Sequence, residues 1–408
     1  MAALRILHVA PYFENAWAYG GIPRVVSAQA HALAAAGHQV TVATSDVRDA
    51  ASRIGNTDGR PSSRFVPRVE RTADGIEVRV FPNISNAAAY RWQFFLPAWL
   101  SRDIRVIARR YDVAHLHACH NLLTAIAAKH LRRARVPYVV QPNGTAGRIE
   151  RRLAAKLVFD TLFEWHVLPD AAFVIAVTEW ERRKLQEAKV PESRLRLVPN
   201  PLAPMPACEL PSGTSIRERY QLTDGPIVLF MGMLSPRKLP DVLARAVARL
   251  KRTDVQLVFA GNDMGAGRRA RAVVRDLGLD SRTRFTGLLA GPARYRILAA
   301  ADIVVYPSRD EAFGLVPLEA LQAGTPVIVC NDGGCGEIVS GVGGGLLVPP
   351  GDPQALAVAI DVMLRDLPKW RGEAAKAGAE ASRRFHPGLV ASQLEEVYRE
   401  AIARPDRP

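Results

Sequence analysis

The sequence predicts an α/β protein of two tandem domains, each a parallel sheet with helices on both faces. Three observations lead there. At 408 residues the chain exceeds the usual single-core size, so two domains of roughly 200 residues are expected. Short β-branched or apolar runs alternate with helical patterns almost from end to end, as strands joined by crossover helices require. Midway, "NPLAPMPACELPSGTS" (200–215) breaks the alternation, and four prolines in the eleven residues from Pro201 to Pro211 deny both helix and central strand.

The predicted strands of the first half are "RILHVA" (5–10), "QVTVATS" (39–45), "IEVRVF" (76–81), "VAHLHA" (113–118), "YVVQ" (138–141), "FVIAVT" (173–178) and "RLRLVP" (194–199), with helices between them. Residues 200–225 read as linker. A second series follows: "IVLFMG" (227–232), "VQLVFAG" (255–261), "RFTGL" (284–288), "DIVVYP" (302–307) and "PVIVCN" (326–331). Residues 355–408 read as helix, broken at "FHPG" (385–388). The domains are therefore placed at 1–203 and 204–384, with 385–408 a closing helix that crosses back to the first. Two Rossmann-like domains of this kind bind ligands at the carboxyl ends of their strands, so the site is expected in a cleft between the two sheets.

Composition narrows the function classes. The chain is 48% hydrophobic, enough for two cores. It contains no apolar run of the roughly 18 residues that a membrane span needs, and "MAALRILHVAPYF" runs straight into a strand pattern, so a cytoplasmic protein is expected. Cys119, Cys208, Cys330 and Cys335 form no C-x-x-C pair and read as reduced and structural. The net charge of +14 is uneven: residues 1–200 hold 28 Lys+Arg against 17 Asp+Glu, or +11, and residues 201–408 hold 26 against 23, or +3. The basic half suits a phosphorylated substrate, an anionic membrane or nucleic acid, or simply a solvated surface.

The stretch "SRDEAFGLVPLEALQAGTPVIVCN" (308–331) carries the sharpest chemistry. Pro317 fits a helix's first turn, so a helix starts near Leu315. The amides around Phe313, Gly314 and Leu315 then form a positive terminus able to hold phosphate, with Gly314 allowing close approach. Glu311 precedes that terminus, and Glu319 lies about 6 Å further along the axis at 1.5 Å per residue. Carboxylates repel phosphate, so their partners are read as hydroxyl groups on either side of a diphosphate. The alternative is that Glu311 caps the helix and Glu319 is an ordinary exposed helix residue.

Other stretches fit the same ligand. "MGMLSPRKLPDVL" (231–243) puts Arg237 and Lys238 just after a strand, where cations would neutralise a diphosphate. "AYGGIPRVV" (18–26) offers Gly20 and Gly21 for close backbone approach or for a structural turn, and it is not a G-x-G-x-x-G fingerprint. "HLHACHN" (115–121) is rich in metal-ligand types, but no carboxylate completes a set and no D-x-D occurs in the chain; a histidine at a strand end aimed into the cleft is the preferred reading, and no metal is expected. "GRIERRLAAKLVFDTLFEWHVL" (147–168) reads as a basic amphipathic helix that either lies on anionic lipid or presents a solvated face.

Together these residues resemble a retaining glycosyltransferase of family 4, with the GT-B fold. The resemblance spans nearly the whole chain through "GGIPRVV", "LAAAGHQVTVAT", "DVAHLHA", "PYVVQPNG", "VTEWERRKL", "VPNP", "GMLSPRKLPDVL", "VFAGN", "ADIVVYPSRDEAFGLVPLEALQAGTPVIV" and "GLLVPPGDPQALA". It implies an E-x7-E signature at Glu311 and Glu319, with Glu311 on the donor sugar's hydroxyls and Glu319 on the ribose. The amides of Phe313, Gly314 and Leu315 would hold the diphosphate, and Arg237 and Lys238 would stabilise it as it leaves, in place of a metal. His117 would face the transferred sugar. Gly21 and Leu288 fall on the donor side, and Gly20 and Asn143 on the acceptor side. The chain departs from the family pattern at Met233, where an arginine is usual, and at Leu239, where glycine is usual.

The expected activity is transfer of a sugar from a nucleotide-diphosphate-sugar to a lipid-linked or growing surface glycan, with retained configuration and without a cofactor. The partners are the donor, the acceptor and, as a candidate, an anionic membrane surface on which the protein is peripheral; no nucleic acid is expected. Rival readings are a nucleotide-sugar epimerase and an inactive nucleotide-sugar-binding partner. Neither glutamate is assigned a core role.

Overall fold

The computed structural model describes residues 2–55, 65–92, 94–146, 167–206 and 213–404. Cys208 and all but the last two residues of the basic segment 147–168 lie outside them. The chain divides into two compact units, Met1–Pro201 with Pro387–Pro408, and Leu202–His386.

The first unit holds β1 (Arg5–Val9), β2 (Gln39–Ser45), β3 (Arg68–Arg71), β4 (Glu77–Phe81), β5 (Val113–His117), β6 (Tyr138–Gln141), β7 (Phe173–Ala176) and β8 (Leu195–Leu197). Their order across the sheet is β3-β4-β2-β1-β5-β6-β7-β8. All pairs are parallel except β3 with β4. Helix Ile22–Ala35 returns the chain from β1 to β2, and its apolar face buries Val26, Ala30 and Leu33. The final helix, Pro387–Ala403, packs on this same unit, where the Tyr398 hydroxyl lies 2.7 Å from His115 Nδ1.

The second unit holds β9 (Ile227–Met231), β10 (Gln256–Ala260), β11 (Thr283–Gly287), β12 (Ile303–Tyr306), β13 (Val327–Cys330) and β14 (Gly345–Val348), in the all-parallel order β11-β10-β9-β12-β13-β14. This is the doubly wound order in which the chain reverses direction across the sheet between its first and fourth strands. Strands such as "IVLFM" and "IVVY" are buried along their whole length because helices cover both faces. The reversal opens a crevice at the carboxyl ends of β9 and β12, and the loops after those two strands carry the predicted site.

Three elements differ from the sequence reading. β3, "RVER", is a half-exposed antiparallel edge strand whose charges hide its pattern. β14, "GLLV", is a short edge strand opening on glycine. Helix Gly213–Tyr220 occupies part of the expected linker, starting just after the last of the four prolines.

Candidate active site

In the second unit, two loops are locked together by what their backbones allow. After β9 the chain passes Gly232, whose carbonyl oxygen would stand 1.8 Å from a Cβ on Gly261, so Gly261 admits no side chain. It then forms the short turn Pro236–Lys238 and leaves through Leu239 at φ 50°, ψ 48°. A side chain in this left-handed region costs about 1–2 kcal/mol, which glycine avoids. After β12, Arg309 donates its backbone N–H to the Arg237 carbonyl at 2.9 Å, tying the two loops. Glu311 is backed by Gly333, where a Cβ would lie 2.7 Å from the Glu311 backbone N and O.

These constraints set a buried cluster. Lys238 Nζ lies 2.5 Å from Glu311 Oε2, donates to the Tyr306 hydroxyl and stands 4.2 Å from the Tyr306 ring centre. Ser308 Oγ donates to the same Glu311 oxygen at 2.9 Å. Burial alone would raise the Glu311 carboxyl, but Lys238, Arg237 and the hydrogen bonds from Lys238 and Ser308 pull it down to about 2. Burial lowers the Lys238 ammonium against the opposing pull of Glu311. The depressed Glu311 is the dominant sign, and the pair is ionised.

Helix Leu315–Gln322 begins directly beyond. Its N-cap is Gly314 at φ 85°, ψ 63°, which has no side chain to cap the first amides, and a Cβ there would meet Cys335 Sγ at 2.4 Å. Phe313 turns its ring inward against Phe385, with centres 5.3 Å apart, and so offers the site only its backbone. Leu288, just past β11, is 42% exposed.

Glu319 corrects the sequence reading. It is neither exposed nor free of a core role: it is 5% exposed, and its Oε2 accepts two N–H bonds from Arg294, from Nε at 2.9 Å and from Nη2. Glu311 likewise sits in a structural ion pair. Arg294 was missed, although a signal existed. It lies three and four residues before Ile297 and Leu298 on helix Pro292–Ala300, so a charge occupies the buried face and demands a buried partner.

In the first unit, Gly20 has φ 93°, ψ −133°, and Gly21 is the N-cap of Ile22–Ala35, again without a side-chain cap. Asn143 follows β6 at φ 53°. Its turn is held from behind by Glu181, which accepts from the Gly144 amide at 2.5 Å and the Val177 amide at 2.9 Å; burial pushes this carboxyl up to about 7. Sequence reasoning missed Glu181 because its partners are backbone amides, which leave no trace in a motif.

Two family models match the chain: glycosyl transferases group 1 over residues 214–384 and the glycosyl transferase 4-like domain over residues 20–201. The chain is also 30% identical over 321 residues to the D-inositol 3-phosphate glycosyltransferase of Xylanimonas cellulosilytica, covering 75% of this chain and 71% of that one. The chain belongs to the GT4-type glycosyltransferase family. The like-named protein of Acidothermus cellulolyticus is 31% identical over 323 residues, which span 75% of this chain but 66% of that protein, just short of two thirds. Anabaena HepE in complex with UDP and glucose superposes with a TM-score of 0.72 at 21% identity, over 97% of this chain and 99% of that one. That likeness establishes the GT-B fold.

For a member of this family the placement of His117 is a correction. The strand-end histidine is not open to solvent: His8, His115 and His117 are all fully buried. His8 Nδ1 and His117 Nε2 are 2.9 Å apart, and the His115 and His117 rings stack with centres 4.0 Å apart. The cause is register. His8 pairs with His115 across the β1–β5 ladder, and His117 follows His115 on the same face, so all three point into one covered layer. Potential ligand atoms of the three lie within 4.8 Å of one another. Burial lowers all three rings below the usual histidine range, His8 to about 3, so they are neutral at pH 7.

Proposed function

We propose that the chain transfers a sugar from a nucleotide-diphosphate-sugar donor to an acceptor hydroxyl with retention of anomeric configuration and without a divalent metal. The observation that carries this reading is the Lys238–Glu311 pair beside the uncapped start of helix Leu315–Gln322, at the strand ends where the second sheet reverses. Cleavage of the donor bond leaves negative charge on the diphosphate. Lys238, Arg237 and the helix amides supply fixed positive charge and donors, which count most where water is excluded. Glu311 positions Lys238 and offers an acceptor to the hydroxyls of the transferred sugar. Retention follows if the acceptor attacks from the face that the diphosphate leaves, with the departing phosphate oxygen taking the acceptor's proton.

The acceptor is proposed to be a lipid-linked or growing surface glycan, handled by the first unit, which carries the larger positive charge. The relatives named for D-inositol 3-phosphate favour a second acceptor class, a phosphorylated polyol, which the same basic unit would suit. Among the described residues no helix is long and apolar enough to cross a membrane.

The test is a panel of nucleotide sugars incubated with lipid-linked glycans and with inositol phosphate, with products read by mass spectrometry and anomeric configuration by NMR. Transfer with retention is expected. A rearranged sugar released without acceptor would support the epimerase, and nucleotide binding without any product would support the inactive partner.

A further inference from the structure

The Arg294–Glu319 pair joins helices Pro292–Ala300 and Leu315–Gln322, with Arg294 6% and Glu319 5% exposed. Two donors of one guanidinium, Nε and Nη2, converge on a single oxygen, Oε2. A lysine offers a single point charge, whereas two donors of the rigid guanidinium anchor that oxygen from two directions. Arg294 itself is held in place: it lies on the buried face of its helix beside Ile297 and Leu298. Glu319 meanwhile lies one turn into the helix whose open end is proposed to hold the diphosphate. A carboxylate that is to distinguish a ribose from a deoxyribose must present its oxygens in one orientation, because a hydrogen bond weakens steeply as its angle closes.

We infer that Arg294 is a positioning residue that orients Glu319 for the ribose hydroxyls, so that selection of ribonucleotide over deoxyribonucleotide donors depends on a residue that touches no nucleotide. This rests on the proposed function together with the contact to the ribose that the family resemblance implies for Glu319. The pair as a mere strut between two helices would make no distinction between sugars, and that difference is measurable.

The full chain and its Arg294→Met and Arg294→Lys variants are titrated calorimetrically with uridine, guanosine and adenosine diphosphates and with the 2′-deoxy form of whichever binds. The wild type is expected to prefer the ribonucleotide by about tenfold, the scale of one good hydrogen bond to a charged acceptor. Arg294→Met should bring the two nucleotides to within about twofold by weakening the ribonucleotide alone, and Arg294→Lys should fall between. Should Arg294→Met fail to fold by thermal melting, Arg294→Lys decides: a reduced ribose preference supports the inference and a full one overturns it. Equal losses for both nucleotides, or a retained preference in a folded Arg294→Met, would also overturn it. A wild type that binds diphosphates with no ribose preference sinks the inference together with the role of Glu319, whereas one that binds no diphosphate at all sinks the donor reading beneath both.

Discussion

Lys238 and Glu311 form a buried ion pair, with Nζ 2.5 Å from Oε2, and it joins the loops after the two strands at which the second sheet reverses. Each residue holds the other in place. Removing one partner of such a pair costs about 3–5 kcal/mol, because the survivor is left charged and unmatched in a dry site. Glu311→Gln is therefore expected to lower stability by that amount and also to cut turnover at saturating donor by on the order of a hundredfold, equivalent to about 3 kcal/mol of transition-state stabilisation. Denaturant midpoints and single-donor kinetics read the two effects separately. Normal turnover in a destabilised variant would reduce Glu311 to a structural role.

The same pair predicts an acid-side signature. The folded Glu311 carboxyl is held at about 2 against an ordinary value of 4.5, so at intermediate pH the unfolded chain binds the extra proton. The pair's contribution is thus complete above pH 4.5 and is lost as pH falls toward 2. The stability gap between wild type and Glu311→Gln should close over that window in urea titrations. A gap of constant size from pH 6 to pH 2.5 would contradict the assignment.

Met233 is half-buried in the loop after β9, where an arginine is usual in the family that the sequence resembles. Met233→Arg is expected to leave the fold intact and tighten nucleoside-diphosphate binding by roughly 1.5–3 kcal/mol, the value of a charge-assisted hydrogen bond. Calorimetry showing unchanged or weaker binding would mean that the loop aims this position away from the diphosphate.

Transfer should proceed at full rate in excess chelator, because Arg237, Lys238 and the start of helix Leu315–Gln322 already supply the countercharge. Loss of activity that magnesium or manganese restores would refute this.

The first unit should attach weakly and reversibly to anionic membranes. Among its described residues, Trp99 and Val106 are 49% and 61% exposed, and Arg102, Arg105, Arg109 and Arg110 stand exposed along the same stretch. Such attraction fades once charges are separated by more than a Debye length, about 10 Å at 0.1 M salt. Vesicle sedimentation should need anionic lipid and fall with added salt. Equal pelleting with neutral vesicles would argue for a purely apolar contact instead.

Legibility in the sequence followed the range of the interactions concerned. Twelve of the fourteen described strands fall in runs legible in the sequence, and central ones such as β9 and β12 are apolar throughout because both faces are covered. β3 and β14 are edge strands whose charges or opening glycine break the pattern, whereas the other two edges, β8 and β11, were still legible from the residues around them. The helix start at Leu315 was readable because Pro317 and Gly314 act within one turn.

The features legible before folding are therefore local: the alternation of elements, the proline-rich break between two units, the open helix start and the spacing of Glu311 from Glu319. Their partners were set by the folded chain. Arg294 lies 25 residues from Glu319 and meets it where two helices of the second unit pack together, whereas Lys238 lies 73 from Glu311 and meets it because parallel strands bring loops from distant stretches to one edge of the sheet. The same registry turned His117 inward against His8, 109 residues away, where a motif alone would aim it at substrate. Residue type and spacing specify which groups a site can contain, but charge and burial depend on neighbours that only the folded sheet supplies.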